Sequence, residues 1–217
     1  MAKRVAPTGL CFPYARTAMR QFGDDAEVVV EFASPEAFSD FIEALVARYK
    51  DRVHHWSFCC EVDLAHHQWE GGLDEYVRMV RAGAQGAKRG DPACIVAGIG
   101  VSGVDCTANP RFPVARKLWE QLHPCLDVFA MDAYASPRYF GPDLHVVGPE
   151  ENDLTGMLRE GLSIVRQYGP EKGIAIEEKG WAIDDRLPVD DVQARRMAEV
   201  LARSFIIARS VDELEPH

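Results

Sequence analysis

The stretch Leu73–Gly100, LDEYVRMVRAGAQGAKRGDPACIVAGIG, decides the fold class. Leu73, Tyr76, Val77, Val80 and Ala84 recur at the spacing of a helix with one apolar face. Gly90-Asp91-Pro92 breaks that pattern, and Ala93–Gly100 (ACIVAGIG) then reads as a strand apolar on both faces. Such a strand, reached from an amphipathic helix, belongs to a parallel sheet covered by helices.

The same alternation extends in both directions. Upstream, Glu27–Phe32 is a β-branched run, and Ser34-Pro35 supplies an N-cap and first helical residue. The helix that follows carries Phe38, Phe41, Ile42, Leu45, Val46 and Tyr49, and Val53–Cys60 is the next strand, ending at Glu61. Downstream come a helix over Val114–Leu122, a strand over Leu126–Met131 and a helix over Glu151–Tyr168 stopped by Gly169-Pro170. A strand over Gly173–Glu177 and a last helix over Asp191–Arg209 complete the series; Met197, Val200, Leu201, Phe205 and Ala208 are expected to face inward. No Gly-rich phosphate loop follows any strand, and Gly98-Ile99-Gly100 with Gly103 lacks a helix start at its third glycine. The pattern leaves a doubly wound sheet and a (β/α)8 barrel as the choices and argues against a dinucleotide site.

The chain has 217 residues, 47% hydrophobic and 27% charged, with no low-complexity linker, so it reads as one domain over 1–217. Within it, 1–26 is an atypical leading segment, with Phe12–Phe22 as a candidate helix, and 27–210 is the regular region. A net charge of −10 excludes nucleic acid and an anionic membrane surface as main partners. No apolar run approaches the roughly 18 residues that span a bilayer. The basic start Met-Ala-Lys-Arg lacks the apolar core of a signal peptide, so a cytoplasmic location is the expectation. The six scattered cysteines read as free thiols in a reducing compartment.

In parallel α/β folds the working residues gather at the C-terminal ends of strands. Those positions hold Cys59, Cys60, Glu61 and Asp63, then Asp132 and Tyr134, then Glu177, Glu178 and Trp181. Glu61 and Glu178 lie 117 residues apart in sequence yet at the same end of their strands. Two such carboxyls can divide acid/base and nucleophilic work if their environments separate their pKa values. His54, His55, Cys59, Cys60, Glu61, Asp63, His66 and His67 include residue types that zinc accepts. Strand alternation sends successive residues to opposite faces, so no metal site is expected.

The segment Arg48–Asp63 (RYKDRVHHWSFCCEVD) resembles a segment of clan A glycoside hydrolases, and family 39 and similar β-glycosidases look nearest. Further matches follow in order: Trp69-Glu70-Gly71-Gly72 with Tyr76, Ala87–Ala93, Ile95–Gly100, Leu126–Tyr134, Ile174–Trp181 and Gln193–Arg196. The resemblance covers about residues 35 to 210 and implies a retaining (β/α)8-barrel enzyme acting on a carbohydrate without cofactor. It implies Glu61 as general acid/base and Glu178 as nucleophile, about 5 to 5.5 Å apart. Tyr134 would orient the nucleophile, with Cys60, Asp63 and Asp132 beside the substrate. Trp69 and Trp181 are either sugar platforms or core residues.

This chain departs from the family pattern at three positions. Cys60 stands where the family has Asn, Asp132 where it has His, and Lys179 where it has an aromatic or apolar residue. Length departs too. Strand starts near residues 28, 54, 95, 127 and 174 give about five β/α units, whereas a barrel typically needs about 250 residues. The first two strands and the last are expected to be missing. An open sheet exposes its edges, so a homodimer covering them, or a fragment, is expected. A barrel that binds carbohydrate or a protein partner without turnover is the alternative function.

Overall fold

The computed structural model describes residues 17–20, 27–30, 34–58, 61–63, 69, 72–102, 112–133, 148–150, 153–179 and 191–212. Four strands form a parallel sheet in chain order: β3 (His55–Trp56), β4 (Ile95–Val101), β5 (Val128–Met131) and β6 (Gly173–Ile176). Helices α2 (Leu73–Gly90), α3 (Phe112–Leu122) and α4 (Leu154–Tyr168) connect successive strands; α1 (Pro35–Tyr49) precedes β3 and α5 (Asp191–Asp212) follows β6. This is the β/α alternation of a (β/α)8 barrel, represented by part of its strands.

The leading segment corrects two expectations. Glu27–Val30 (β2) is a strand, but it pairs antiparallel with β1 (Thr17–Arg20) in a separate two-stranded sheet. The parallel sheet therefore has four described strands where five were expected, and Thr17–Arg20 is extended where a helix was expected. A β-branched run specifies an extended backbone but not its neighbour.

Why α1 forms where it does is plain in its first turn. Ser34 Oγ accepts from Ala37 N–H at 3.2 Å, and Pro35 supplies a preset φ. A hydrogen bond from the Ser34 side chain to the Glu36 carboxyl, with the Glu36 backbone N–H second, holds that carboxyl below its ordinary pKa. Helix α1 buries Phe38, Ile42 and Val46 against α2, whose facing residues are small. A Cβ on Gly86 would stand 2.1 Å from the Ser39 carbonyl oxygen, so the two backbones touch. Ser39 Oγ donates to Ala82 O at 2.6 Å, and Arg89 pairs with Asp40 and Glu43 across the same seam.

The outer face of the sheet is the helix-covered one. Phe58 meets Phe38 of α1 edge-to-face, Phe129 meets Trp119 of α3 in the same way, and Ile174 lies against Gly161 of α4. Strand alternation then sends Ser57, Ala130 and Ala175 to the opposite, inner face. Ser57 hydrogen-bonds Glu177 although β4 and β5 lie between their strands. Three inter-strand spacings amount to about 14 Å in a flat sheet, more than these two side chains reach. The sheet must curl around its inner face, as barrel strands do.

Candidate active site at the strand ends

Backbone hydrogen bonds that extend the ladder past the strands bring Glu61, Asp132, Glu177 and Glu178 to the C-terminal rim. Val62 N–H donates to Gly100 O at 2.8 Å, which fixes Glu61 beside the end of β4. Gly100 itself has φ +65° at the irregularity between Ile99 and Val101. On the other side, Asp132 N–H donates to Val101 O, Glu177 N–H to Met131 O and Ala133 N–H to Glu178 O, at 3.1, 2.9 and 2.8 Å. Glu61 and Glu178 thus occupy the same end of one curled sheet.

Glu61 has φ +50°, the left-handed region that non-glycine residues rarely enter. That conformation costs on the order of 1 kcal/mol and turns the chain sharply at the strand end. Two residues on, Asp63 clasps the end of β4: Oδ1 accepts from Ser102 N–H at 2.7 Å and Oδ2 from Ser102 Oγ at 2.8 Å. Expected beside the substrate, Asp63 spends these contacts tying the Glu61 turn to β4.

Trp69 is a core residue of the two alternatives. It is 5% exposed, its ring meets Tyr76 edge-to-face at 5.5 Å, and Nε1 donates to Gly72 O. Tyr76 in turn donates from its hydroxyl to Ile99 O at 2.8 Å. Asp132 is fully buried at the end of β5. Cys59, Cys60, Tyr134 and Trp181 lie outside the described residues.

Three residues that the sequence left in the background stand out. Glu177 is half-buried, accepts from Ser57 across the inner face, and its Oε2 is buried with no hydrogen-bond partner. Burial pushes its carboxyl up, and the neighbouring Glu178 charge adds to the rise against the pull of the Ser57 hydrogen bond. Lys179 donates from Nζ to Ala133 O at 2.7 Å, and burial brings its amine down to about 8. Ser57 could have been found from alternation, as the polar residue between apolar Trp56 and Phe58. Glu177 was passed over because the family pattern selects its neighbour. Among the described residues no group of three or more His, Cys, Asp or Glu side chains is placed to hold a metal.

A curled parallel sheet with carboxyls at its C-terminal rim defines a class, the (β/α)8-barrel scaffold. Solved structures bear this out. The chain is similar to a glucosidase from Croceicoccus marinus, with a TM-score of 0.59 at 20% identity over 76% of this chain and 35% of that one. It is similar to a family 39 glycoside hydrolase from Xanthomonas axonopodis pv. citri, with a TM-score of 0.54 at 16% identity over 73% and 33%. A family 39 β-xylosidase from Caulobacter crescentus gives 0.51 at 18% identity over 80% and 37%. The chain spans about a third of the length of these proteins, and at such identities the likeness establishes the fold. No protein-family model matches the sequence, and no curated protein matches it.

Proposed function

We propose that this chain hydrolyses O-glycosidic bonds of a β-linked carbohydrate by a retaining double displacement, without a cofactor. Glu61 protonates the leaving oxygen and then activates water, and Glu178 attacks the sugar carbon to form the glycosyl-enzyme. The observation that carries this reading is the shared rim: Val62 is tied to Gly100, and Glu178 to Ala133, at the same end of one sheet. The strained backbone at Glu61 and its Asp63–Ser102 support are what a positioned acid/base needs. Burial raises the pKa of Glu177, so the rim also holds a carboxyl that keeps its proton to higher pH than an ordinary one.

The test is hydrolysis of a panel of aryl β-glycosides by the purified chain beside Glu178→Ala and Glu61→Ala. Turnover should fall on the order of 10^3-fold or more in each variant. Folded protein that turns over none of the panel would overturn the hydrolase reading. The second reading, carbohydrate binding without turnover, is favoured by Asp63 and Trp69 being engaged within the chain. Calorimetric binding of an oligosaccharide with no turnover would support it.

A further inference from the structure

We propose that Glu177 is a positioning residue of the candidate site, a carboxyl anchored to Ser57 across the inner face that sets the aim of its neighbour Glu178. The inference rests on the hydrolase reading of Glu178 given above. The end of β6 carries the geometry. Met131 of β5 stands opposite Ile176 of β6, so Asp132 stands opposite the next residue, Glu177. In a regular parallel ladder one residue both donates to the carbonyl before its partner and accepts from the N–H after it. Here those two bonds fall on successive residues. Glu177 N–H donates to Met131 O at 2.9 Å, whereas Glu178 O accepts from Ala133 N–H at 2.8 Å. One extra residue is therefore inserted past the end of β6, a β-bulge of Glu177 and Glu178 opposite Asp132.

A bulge re-aims side chains. Regular alternation would put Glu177 on the inner face with Ala175, and Glu178 on the helix-covered face. Two residues opposite one break that alternation, and Glu178 turns toward the side that Glu177 occupies. The Glu178 charge pushes the Glu177 carboxyl up, as a like charge on the same side does. The bulge is held from both neighbours. Ser57 of β3 hydrogen-bonds the Glu177 carboxyl, whose Oε2 is buried with no hydrogen-bond partner. Ala133 of the β5 continuation takes Glu178 O with its N–H and accepts from Lys179 Nζ with its carbonyl at 2.7 Å. Glu177 and Glu178 share the peptide at the centre of the bulge. Fixing one side chain to Ser57 fixes the rotation of that peptide, and with it the direction of the other side chain.

One of the two readouts that test this needs no turnover. Carbon-13 NMR of glutamate-labelled protein follows the Glu177 carboxyl, identified by its loss in Glu177→Gln. Its titration midpoint should move down in Glu178→Gln, where the like charge is gone. It should move up in Ser57→Ala, where the bond to the charged form is gone. A midpoint that Glu178→Gln leaves in place overturns the proposal, because the two carboxyls would then lie on opposite faces. The second readout is kinetic, on an aryl β-glycoside. Glu177→Ala and Ser57→Ala should each lower kcat at least about tenfold with KM within about twofold, since a misaimed carboxylate costs the chemical step rather than binding. Glu177→Gln keeps an amide oxygen that accepts from Ser57 and should recover most of that loss. A Gln variant as slow as the Ala variant, or an Ala variant at the parental kcat, overturns the proposal. Ser57→Ala breaks the same bond from the other strand, so it decides the point where Glu177→Ala fails to fold. A parent chain that turns over no glycoside sinks the hydrolase reading alone, and the Glu177 midpoints still decide whether Glu177 and Glu178 act on each other across one face.

Discussion

Glu177 and Lys179 are adjacent to the same carboxylate, and burial acts on both in opposite directions. For Glu177 the folded pKa lies above the unfolded one, so the native state binds more protons in between and stability falls as pH rises through that window. Glu177→Gln removes the dependence. The variant should match the parent near pH 4 and exceed it at pH 7 by about 1.4 kcal/mol for each pKa unit of the rise, in urea unfolding at both pH values. For Lys179 the folded value of about 8 lies below the usual 10.5, so stability is lost as pH falls from 10.5 to about 8 and stays level below that. Lys179→Met should be more stable than the parent at pH 7 by about 2 kcal/mol, after the lost hydrogen bond to Ala133 O is set against the relief of burial, with the gap closing by pH 10. Cys60 bears on activity instead. A thiol is a weaker hydrogen-bond partner than an amide, so Cys60→Asn should raise kcat/KM by roughly 30- to 1000-fold, about 2 to 4 kcal/mol, on a glycoside the chain turns over. The position of Glu61 was legible from sequence because strand ends are; the Ser57–Glu177 bond was not, because it depends on how far the sheet curls.

At the scale of elements, the α1–α2 pair rests on absent side chains as much as on present ones. Gly86 faces the Ser39 carbonyl oxygen where a Cβ would come to 2.1 Å, and the atom in the way is backbone. Gly86→Ala gains up to about 1 kcal/mol of helix propensity and loses more by forcing the helices apart. We expect a net loss of about 2 kcal/mol, read as a lower urea midpoint with an unchanged slope. Helix α5 shows the limit of pattern reading. Of the residues expected inward Val200 is buried, but Leu201 and Phe205 are exposed, Phe205 at 68%, and Ser204 and Val211 are buried instead. The sequence of α5 carries apolar residues on two sides, so periodicity names a helix without choosing its inner face. Packing against α4 makes that choice.

For the whole molecule the governing quantity is the number of strands. Among the described residues four parallel strands curl around a common inner face, as barrel strands do.

The sequence by itself determined the strand–helix alternation, the parallel sheet, the boundaries of α1 and α2, and the rim position of Glu61, Asp132 and Glu178. These follow from local periodicity, capping and breakers, which act over a few residues. Only the tertiary structure decided that Glu27–Val30 leaves the parallel sheet to pair antiparallel with Thr17–Arg20, that Asp63 bonds Ser102, that Trp69 is core, and that α5 turns Phe205 outward. Each of those depends on which distant segment lies opposite, and a pairing between segments is a property of packing that no local pattern contains.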